Sequence, residues 1–176
     1  MGFFDKVFGG KTAGGSSPGD RGDFRTLDVR EKGFSIAVPQ EWTVVENPSG
    51  LEAHPKECGR IADPASGREI GSPGVTVTVS EIPDPRQNAV KETLKARSAE
   101  MAGHRLVKHI AGEVKNADHG IVYEYQYGPA ESPVRALGAV AQKKTKLFTV
   151  SACGTLQDFE TNRSTLEAVT ASFRPH

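Results

Sequence analysis

The side chains best suited to nucleophilic or metal chemistry are the two cysteines and five histidines of this 176-residue chain. His54 and Cys58 are four residues apart, but no second pair follows at the spacing of a structural or catalytic zinc site. Cys153 closes an apolar stretch, where we expect a buried and unreactive thiol. Three further histidines are scattered along the chain: His104, His109 and His119. We therefore expect no metal site and no cysteine nucleophile.

The sequence was compared with two catalytic signatures, the phosphate-binding loop and the hydrolase nucleophile elbow, and it completes neither. Gly10-Lys11-Thr12 matches the end of a phosphate-binding loop, but Asp5 occupies the position of the required first glycine. Ser35 and Ser151 lack the flanking glycines of a hydrolase nucleophile elbow. Without a catalytic constellation, we expect a protein that is not an enzyme and that needs no cofactor.

All three tyrosines of the chain lie in one predicted strand. Tyr123, Tyr125 and Tyr127 alternate with Glu124 and Gln126, so the three rings share one face of that strand. One interpretation is a sheet surface beneath a helix, with each hydroxyl reaching a polar edge. The other is a partly open binding face, because tyrosine supplies large amphipathic contact area at protein interfaces. The three tyrosines are therefore candidate partner-binding residues.

The first 23 residues differ in composition from the rest of the chain. Residues 1–10 form a short Phe-rich peptide whose apolar side chains would share one face of a helix: Phe3, Phe4, Val7 and Phe8. Residues 11–23 have the Gly/Ser-rich composition of a flexible linker. We predict that the peptide is either disordered or a docking element for a protein partner or a membrane surface. The folded domain then spans residues 24–176.

The overall composition excludes several classes of protein. Lysine and arginine together number 22, as do aspartate and glutamate, and this zero net charge argues against nucleic-acid binding. No stretch approaches the roughly 18 apolar residues of a membrane span. The first eight residues lack the basic leader and apolar core of a signal peptide, and two cysteines are too few for a disulfide scaffold. We expect a cytoplasmic protein.

The first half of the domain alternates between strand-like and loop-like sequence. Residues 33–39 and 42–45 carry alternating apolar side chains around a short turn, which predicts a β-hairpin. Residues 51–57 are a candidate for a further strand, and residues 58–74 are rich in glycine and proline, which is typical of a long surface loop. Valines alternate with hydroxyl residues over 75–80, which predicts a strand with one buried face.

The second half combines helices with consecutive strands. A helix is predicted from Asp84 as N-cap to Gly103 as terminator, with a buried stripe made of Val90, Leu94, Arg97 and Met101. Residues 105–114, 120–128, 134–142 and 145–153 are typical of an antiparallel meander. A last helix is predicted to open at Thr155, with Asp158 in its first turn. The order of elements indicates an α+β fold in which helices cover an antiparallel sheet.

Two parts of the sequence resemble one known family. Residues 33–42, Gly-Phe-Ser-Ile-Ala-Val-Pro-Gln-Glu-Trp, resemble the opening of PsbP/Mog-type domains. Residues 147–152, Asp158-Phe159-Glu160 and residues 166–174, which contain a Ser-Phe pair, resemble the last strand and last helix of that group. The resemblance covers residues 24–174. It implies an α/β/α sandwich with a central antiparallel sheet flanked by helices, and a role without catalysis.

The resemblance also implies the kind of role to expect. Relatives of this type include a photosystem extrinsic subunit, a Ran-binding nuclear import factor, bacterial lipoproteins and chaperones of secretion effectors. We expect a non-catalytic adaptor or chaperone that binds another protein, within a larger assembly or secretion machinery, with the N-terminal peptide as a second contact. The alternative is a protein that binds a small apolar ligand between the sheet and a helix.

Overall fold

The computed structural model describes residues 23–63 and 68–176. Within these ranges the chain forms twelve strands, namely β1 Phe24–Val29, β2 Phe34–Pro39, β3 Thr43–Asn47, β4 Gly50–His54, β5 Gly59–Asp63, β6 Arg68–Ser72, β7 Gly74–Glu81, β8 Arg105–Ile110, β9 His119–Tyr127, β10 Val134–Lys143, β11 Lys146–Thr155 and β12 Arg174–Pro175. The same ranges contain three helices, namely α1 Ala89–Glu100, α2 Leu156–Thr161 and α3 Arg163–Ser172.

A seven-stranded antiparallel sheet forms the centre of the described part of the chain. Its strand order is β3-β4-β7-β11-β10-β9-β8. The predicted meander is confirmed, because β8, β9, β10 and β11 are consecutive neighbours. β7 also forms as predicted, with Val75 and Val77 fully buried on one face. The period-two alternation of these strands fixes which side chains face each side of the sheet.

The predicted hairpin between residues 33–39 and 42–45 is wrong. β2 pairs with β1 on one side and with β12 on the other, in a separate three-stranded sheet, whereas β3 pairs with β4 in the large sheet. Trp42 donates its backbone N–H to the carbonyl of Pro39 at 3.1 Å in the tight turn between them. That turn carries the chain from one sheet to the other. Alternating side chains predict a strand but do not specify its partner.

The predicted surface loop over residues 58–74 is also wrong where the structure describes it. β5 and β6 form a short antiparallel hairpin with Ile61 opposite Ile70. Ile70 is buried against the large sheet. Each strand contains one isoleucine among small and polar residues, which is too little apolar sequence to predict a strand.

The helices begin at different points from some predicted ones. α1 begins at Ala89 rather than after Asp84, whose carboxylate instead accepts the backbone N–H of Arg86 at 3.0 Å in a turn. Thr155 caps α2 as predicted, because its hydroxyl accepts the backbone N–H of Asp158 at 3.1 Å. The last helix is not continuous, since Asn162 separates α2 from α3.

Two apolar cores lie on the two faces of the large sheet. On one face, Phe34, Phe148 and Phe173 pack together with ring centroids 5.6–6.2 Å apart, between the large sheet, the three-stranded sheet and α3. On the other face, α1 and Ile70 of the β5–β6 hairpin cover the tyrosines of β9. Helices therefore flank a central antiparallel sheet, which confirms the predicted α/β/α arrangement. Among the described residues, no helix is both long enough and apolar enough to cross a membrane.

Candidate functional site

The three tyrosines of β9 form a stack that we call the tyrosine layer. Ring centroids are 5.0 Å apart between Tyr123 and Tyr125 and 5.7 Å apart between Tyr125 and Tyr127. The three residues are at most 3% exposed. His104, just after α1, stacks on Tyr125 with centroids 5.6 Å apart, and burial lowers the pKa of His104. The structure thus places the tyrosine rings beneath a helix, which is the first of the two interpretations of their pattern.

The tyrosine hydroxyls lie in a weakly polar interior. The hydroxyls of Tyr125 and Ser151 are 3.1 Å apart. The buried hydroxyl of Tyr127 has no hydrogen bond of ordinary geometry to the described residues. Burial raises the pKa of Tyr125 and Tyr127, and it raises the pKa of the fully buried Cys153 to about 12. These groups therefore stay neutral at physiological pH, and Cys153 is buried as predicted.

A groove opens where the tyrosine layer ends at Tyr127, and we call it the end groove. It has a volume of about 810 Å³ and is open to solvent on one side. Tyr127 and Val134 are its buried residues. Its other lining residues come from β5, the segment after α1, the β9–β10 connection, the end of β11 and the start of α2: Arg60, Ile61, Ala62, Ala102, Gly128, Pro129, Glu131, Ser132, Pro133, Thr155, Leu156 and Gln157.

Close backbone contacts hold the walls of the end groove in place. Gly128 donates its backbone N–H to the carbonyl of Ala102 at 2.9 Å. Gly103 has a φ of +67°, and a side chain there would place its Cβ 2.3 Å from the Gly128 carbonyl oxygen. Only glycine fits such an approach at that backbone conformation. The segment that follows α1 is therefore fixed against the residue that follows β9.

A second set of contacts holds the start of α2. The Ser72 hydroxyl donates to the Asp158 carboxylate at 2.5 Å and accepts the backbone N–H of Thr155 at 3.0 Å. The first turn of α2 is thereby joined to the end of β6. Leu156, in that turn, remains 38% exposed beside the groove.

The end groove offers a mostly uncharged contact surface. Among the described residues that line it, Arg60 and Glu131 carry charge, and both are exposed. The Tyr127 hydroxyl is kept neutral by burial. The groove can therefore hold an apolar group against Ile61, Pro133 and Leu156.

The opposite face of β9 carries an ionic cluster that the sequence pattern did not indicate. Glu124 is only 1% exposed, and its carboxylate lies 3.3 Å from Lys108, 2.8 Å from Arg135 and 3.1 Å from Arg163. Burial would raise the pKa of Glu124, but hydrogen bonds from Arg163 and Arg135 outweigh it and lower the pKa from 4.5 to about 2. Each cation has its partner, so the cluster is a structural ion pair network.

Other residues considered from the sequence are placed apart from the end groove. His109 and His119 are exposed on β8 and β9. Cys58 and His54 do meet, with the sulfur 3.5 Å from the imidazole Nδ1. Among the described residues, no three histidine, cysteine or acidic side chains are grouped to hold a metal ion. The four apolar side chains of the N-terminal peptide, Phe3, Phe4, Val7 and Phe8, lie outside the described residues.

Comparison with known structures identifies a similar fold. The solution structure of cyanobacterial PsbP, CyanoP, from Synechocystis sp. PCC 6803 superposes with a TM-score of 0.59 over 93% of this chain and 98% of that one, at 16% identity. The chain has a PsbP-like fold. A Pseudomonas aeruginosa protein of unknown function, PA94, and LpqN of Mycobacterium tuberculosis, involved in cell envelope biogenesis, superpose less well. PA94 has a TM-score of 0.49 and 12% identity, and the match covers 88% of this chain and 99% of that one. LpqN has a TM-score of 0.48 and 11% identity, and the match covers 88% of this chain and 85% of that one.

The sequence comparisons add nothing to this likeness, because no family model and no curated protein matches the chain. At 16% identity the likeness to CyanoP concerns the fold alone. The PsbP-like part of the resemblance noted in the sequence is therefore supported at the level of fold, whereas the relation to Mog-type proteins and secretion chaperones stays a prediction.

Proposed function

We propose that this chain is a non-catalytic module that binds another protein, as an adaptor or chaperone, and that the end groove receives an apolar segment of the partner. The observation that carries the proposal is the groove itself, which is open, mostly uncharged and held by fixed backbone contacts. Such preformed apolar surfaces, rimmed by polar groups, are typical of sites for peptide or protein partners. The mostly uncharged lining of the groove favours binding over catalysis.

The N-terminal peptide has a part in the same proposal. Phe3, Phe4, Val7 and Phe8 would supply a second, tethered contact with the partner or with a membrane surface. A short peptide of this kind binds weakly alone, because ordering each residue costs about 1–2 kcal/mol. Linked to the domain, it adds affinity through its effective concentration at the partner. A cytoplasmic location belongs to the proposal as well.

A charge placed in the end groove tests the proposal. We expect Leu156→Glu to abolish co-precipitation of a partner that the unaltered full chain retains, because the partner's apolar segment would meet a carboxylate. Val107→Glu is the matched control, since Val107 is also 38% exposed but lies on β8, away from the groove. Equal retention by both variants, with unchanged melting temperatures, would overturn the role of the groove.

Deletion of residues 1–22 tests the second contact. The deletion keeps Asp23, whose backbone carbonyl accepts the N–H of Gln40 at 2.8 Å, so the start of the domain is preserved. We expect weaker partner or vesicle association and an almost unchanged melting temperature. Association as strong as that of the full chain would show that the peptide is not a contact.

A small apolar ligand is the second candidate occupant. The volume of about 810 Å³ lies within the range of roughly 300–1,000 Å³ that small-molecule sites occupy. The ligand would lie at the end of the tyrosine layer, because the space between the sheet and α1 is filled by the tyrosine rings with Val90 and Met101. A native mass spectrum of the purified full chain tests this candidate. An added mass that Leu156→Glu removes would favour it, and the bare mass of the chain would count against it.

A further inference from the structure

A second cluster of reactive side chains lies away from the end groove, where β4 ends. Cys58 Sγ is 3.5 Å from His54 Nδ1, and His54 Nε2 is 3.9 Å from Glu52 Oε1. A thiol, an imidazole and a carboxylate thus lie in a row in the folded chain. An imidazole N–H beside a sulfur favours the thiolate form of a cysteine, and the carboxylate can orient that imidazole.

The contacts of the imidazole indicate which of its nitrogens carry protons. His54 Nδ1 is 2.7 Å from the backbone carbonyl oxygen of Pro55, which can only accept, so Nδ1 carries a proton. Nε2 faces the carboxylate of Glu52, which is also an acceptor. Nδ1 also lies 3.5 Å from Cys58 Sγ, so its N–H is close to the sulfur as well as to the Pro55 carbonyl. The sulfur then accepts from Nδ1–H as a thiolate.

The surroundings hold the carboxylate and leave room for the sulfur. Glu52 Oε1 accepts the backbone N–H of Gly71 at 2.9 Å and a guanidinium N–H of Arg60 at 3.2 Å. A Cβ on residue 71 would lie 2.4 Å from His54 Cβ and 3.0 Å from Cys58 Sγ. Glycine at position 71 is therefore required for His54 and Cys58 to lie together against β6.

The two cysteines differ sharply in their surroundings. Cys58 is partly exposed, whereas Cys153 is 0% exposed. Burial raises the pKa of Cys153 to about 12, so that thiol does not ionise in the folded protein. Nucleophilic attack needs a thiolate and access to solvent, and Cys58 combines access with a neighbouring N–H donor that favours the thiolate.

We propose that Cys58 is a modification site that reacts with low-molecular-weight disulfides. The Cys58 thiol loses its proton to solvent, His54 Nδ1–H donates to the resulting thiolate, and the thiolate attacks one sulfur of the disulfide. A new sulfur–sulfur bond forms to Cys58 as the disulfide bond of the reagent breaks, and the leaving thiolate takes up a proton. The small disulfide is the oxidant, and the product is a mixed disulfide that a free thiol reverses. This proposal requires no partner and does not depend on what the end groove binds, although Arg60 both donates to Glu52 and lines that groove.

The test measures modification of the full chain by oxidised glutathione, followed by intact mass and peptide mapping. We expect one glutathione on Cys58, none on Cys153, and formation several-fold faster than on the same chain unfolded in urea. His54→Gln should remove that advantage while Cys153 stays protected, which shows that the variant is folded. Glu52→Gln should slow the reaction less, because Glu52 contacts the ring and not the sulfur.

Two outcomes would overturn the proposal. One is a Cys58 in the folded chain that reacts no faster than in the unfolded chain. The other is an equal rate in His54→Gln with Cys153 still protected, since the imidazole would then play no part. Cys58→Ser provides the blank for both measurements, because any adduct it forms comes from Cys153.

Discussion

Arg163 binds Glu124 through two guanidinium nitrogens, each 3.1 Å from a different carboxylate oxygen. The two residues are 39 positions apart, and the pair joins α3 to the face of β9 opposite the tyrosine layer. The guanidinium carbon of Arg163 also lies 4.8 Å from the centroid of the Phe159 ring in α2. This bidentate geometry makes Arg163 difficult to replace with lysine.

Replacing the carboxylate is expected to destabilise the domain. Glu124→Gln keeps the shape of the side chain but leaves three cations without their shared counter-charge. We expect a loss of about 3 kcal/mol in the free energy of unfolding, as measured by urea denaturation. Glu160→Gln is the control, because Glu160 also contacts Arg163 but its side chain is 56% exposed, so its removal should cost about 1 kcal/mol or less. Equal losses in the two variants would contradict this account.

The same carboxylate predicts how stability depends on pH. The folded-state pKa of Glu124 is lowered from 4.5 to about 2, so its ionised form stabilises the fold above pH 4.5. That contribution is lost progressively as pH falls from 4.5 towards 2. We expect the difference in unfolding free energy between the unaltered chain and Glu124→Gln to be constant near neutral pH and to shrink in acid. A difference that is unchanged between about pH 6 and about pH 3 would show that the pKa is not lowered.

A glycine opposite the tyrosine layer predicts a packing effect. Gly138 on β10 pairs with Tyr123, and a Cβ there would lie 3.0 Å from the rings of both Tyr123 and Tyr125. Gly138→Ala should therefore force the stacked rings to shift and cost about 1–3 kcal/mol. The change would be measured by urea denaturation and near-ultraviolet circular dichroism. Gly59→Ala is the matched strand control, because a Cβ at Gly59 meets nothing within 4 Å.

Local sequence patterns predicted the strands and the helix start that depend on residues close together in the chain. Alternation identified the strands of the meander, and the hydroxyl of Thr155 three residues before Asp158 identified the start of α2. Alternation also placed Glu124 on the face opposite the tyrosines. It could not predict that this carboxylate is buried, because Arg163 arrives from a helix 39 residues later.

The end groove was not predictable for the same physical reason. Its walls depend on contacts between residues distant in sequence, such as Ser72 with Asp158, 86 positions apart. They also depend on the close approach of Gly103 to the Gly128 backbone. The presence of these two glycines in the sequence does not predict that contact. Similarly, the partners of β2 and β3 are chosen by how the two sheets pack and not by the strands' own alternation.

A buried glutamine predicts how the start of α1 is held. Gln142 on β10 is 1% exposed, and its amide accepts the backbone N–H of Ala89 at 3.0 Å and donates to the carbonyl of Pro85 at 3.0 Å. Gln142→Leu has a similar size but removes both bonds; the Ala89 N–H keeps the Gln87 carbonyl at 3.0 Å, whereas the Pro85 carbonyl loses its donor, and we expect a cost of about 1–3 kcal/mol. We expect faster hydrogen exchange across Ala89–Glu100 and lower stability in urea. Gln87→Leu is the control, because Gln87 is exposed and should leave both measurements nearly unchanged.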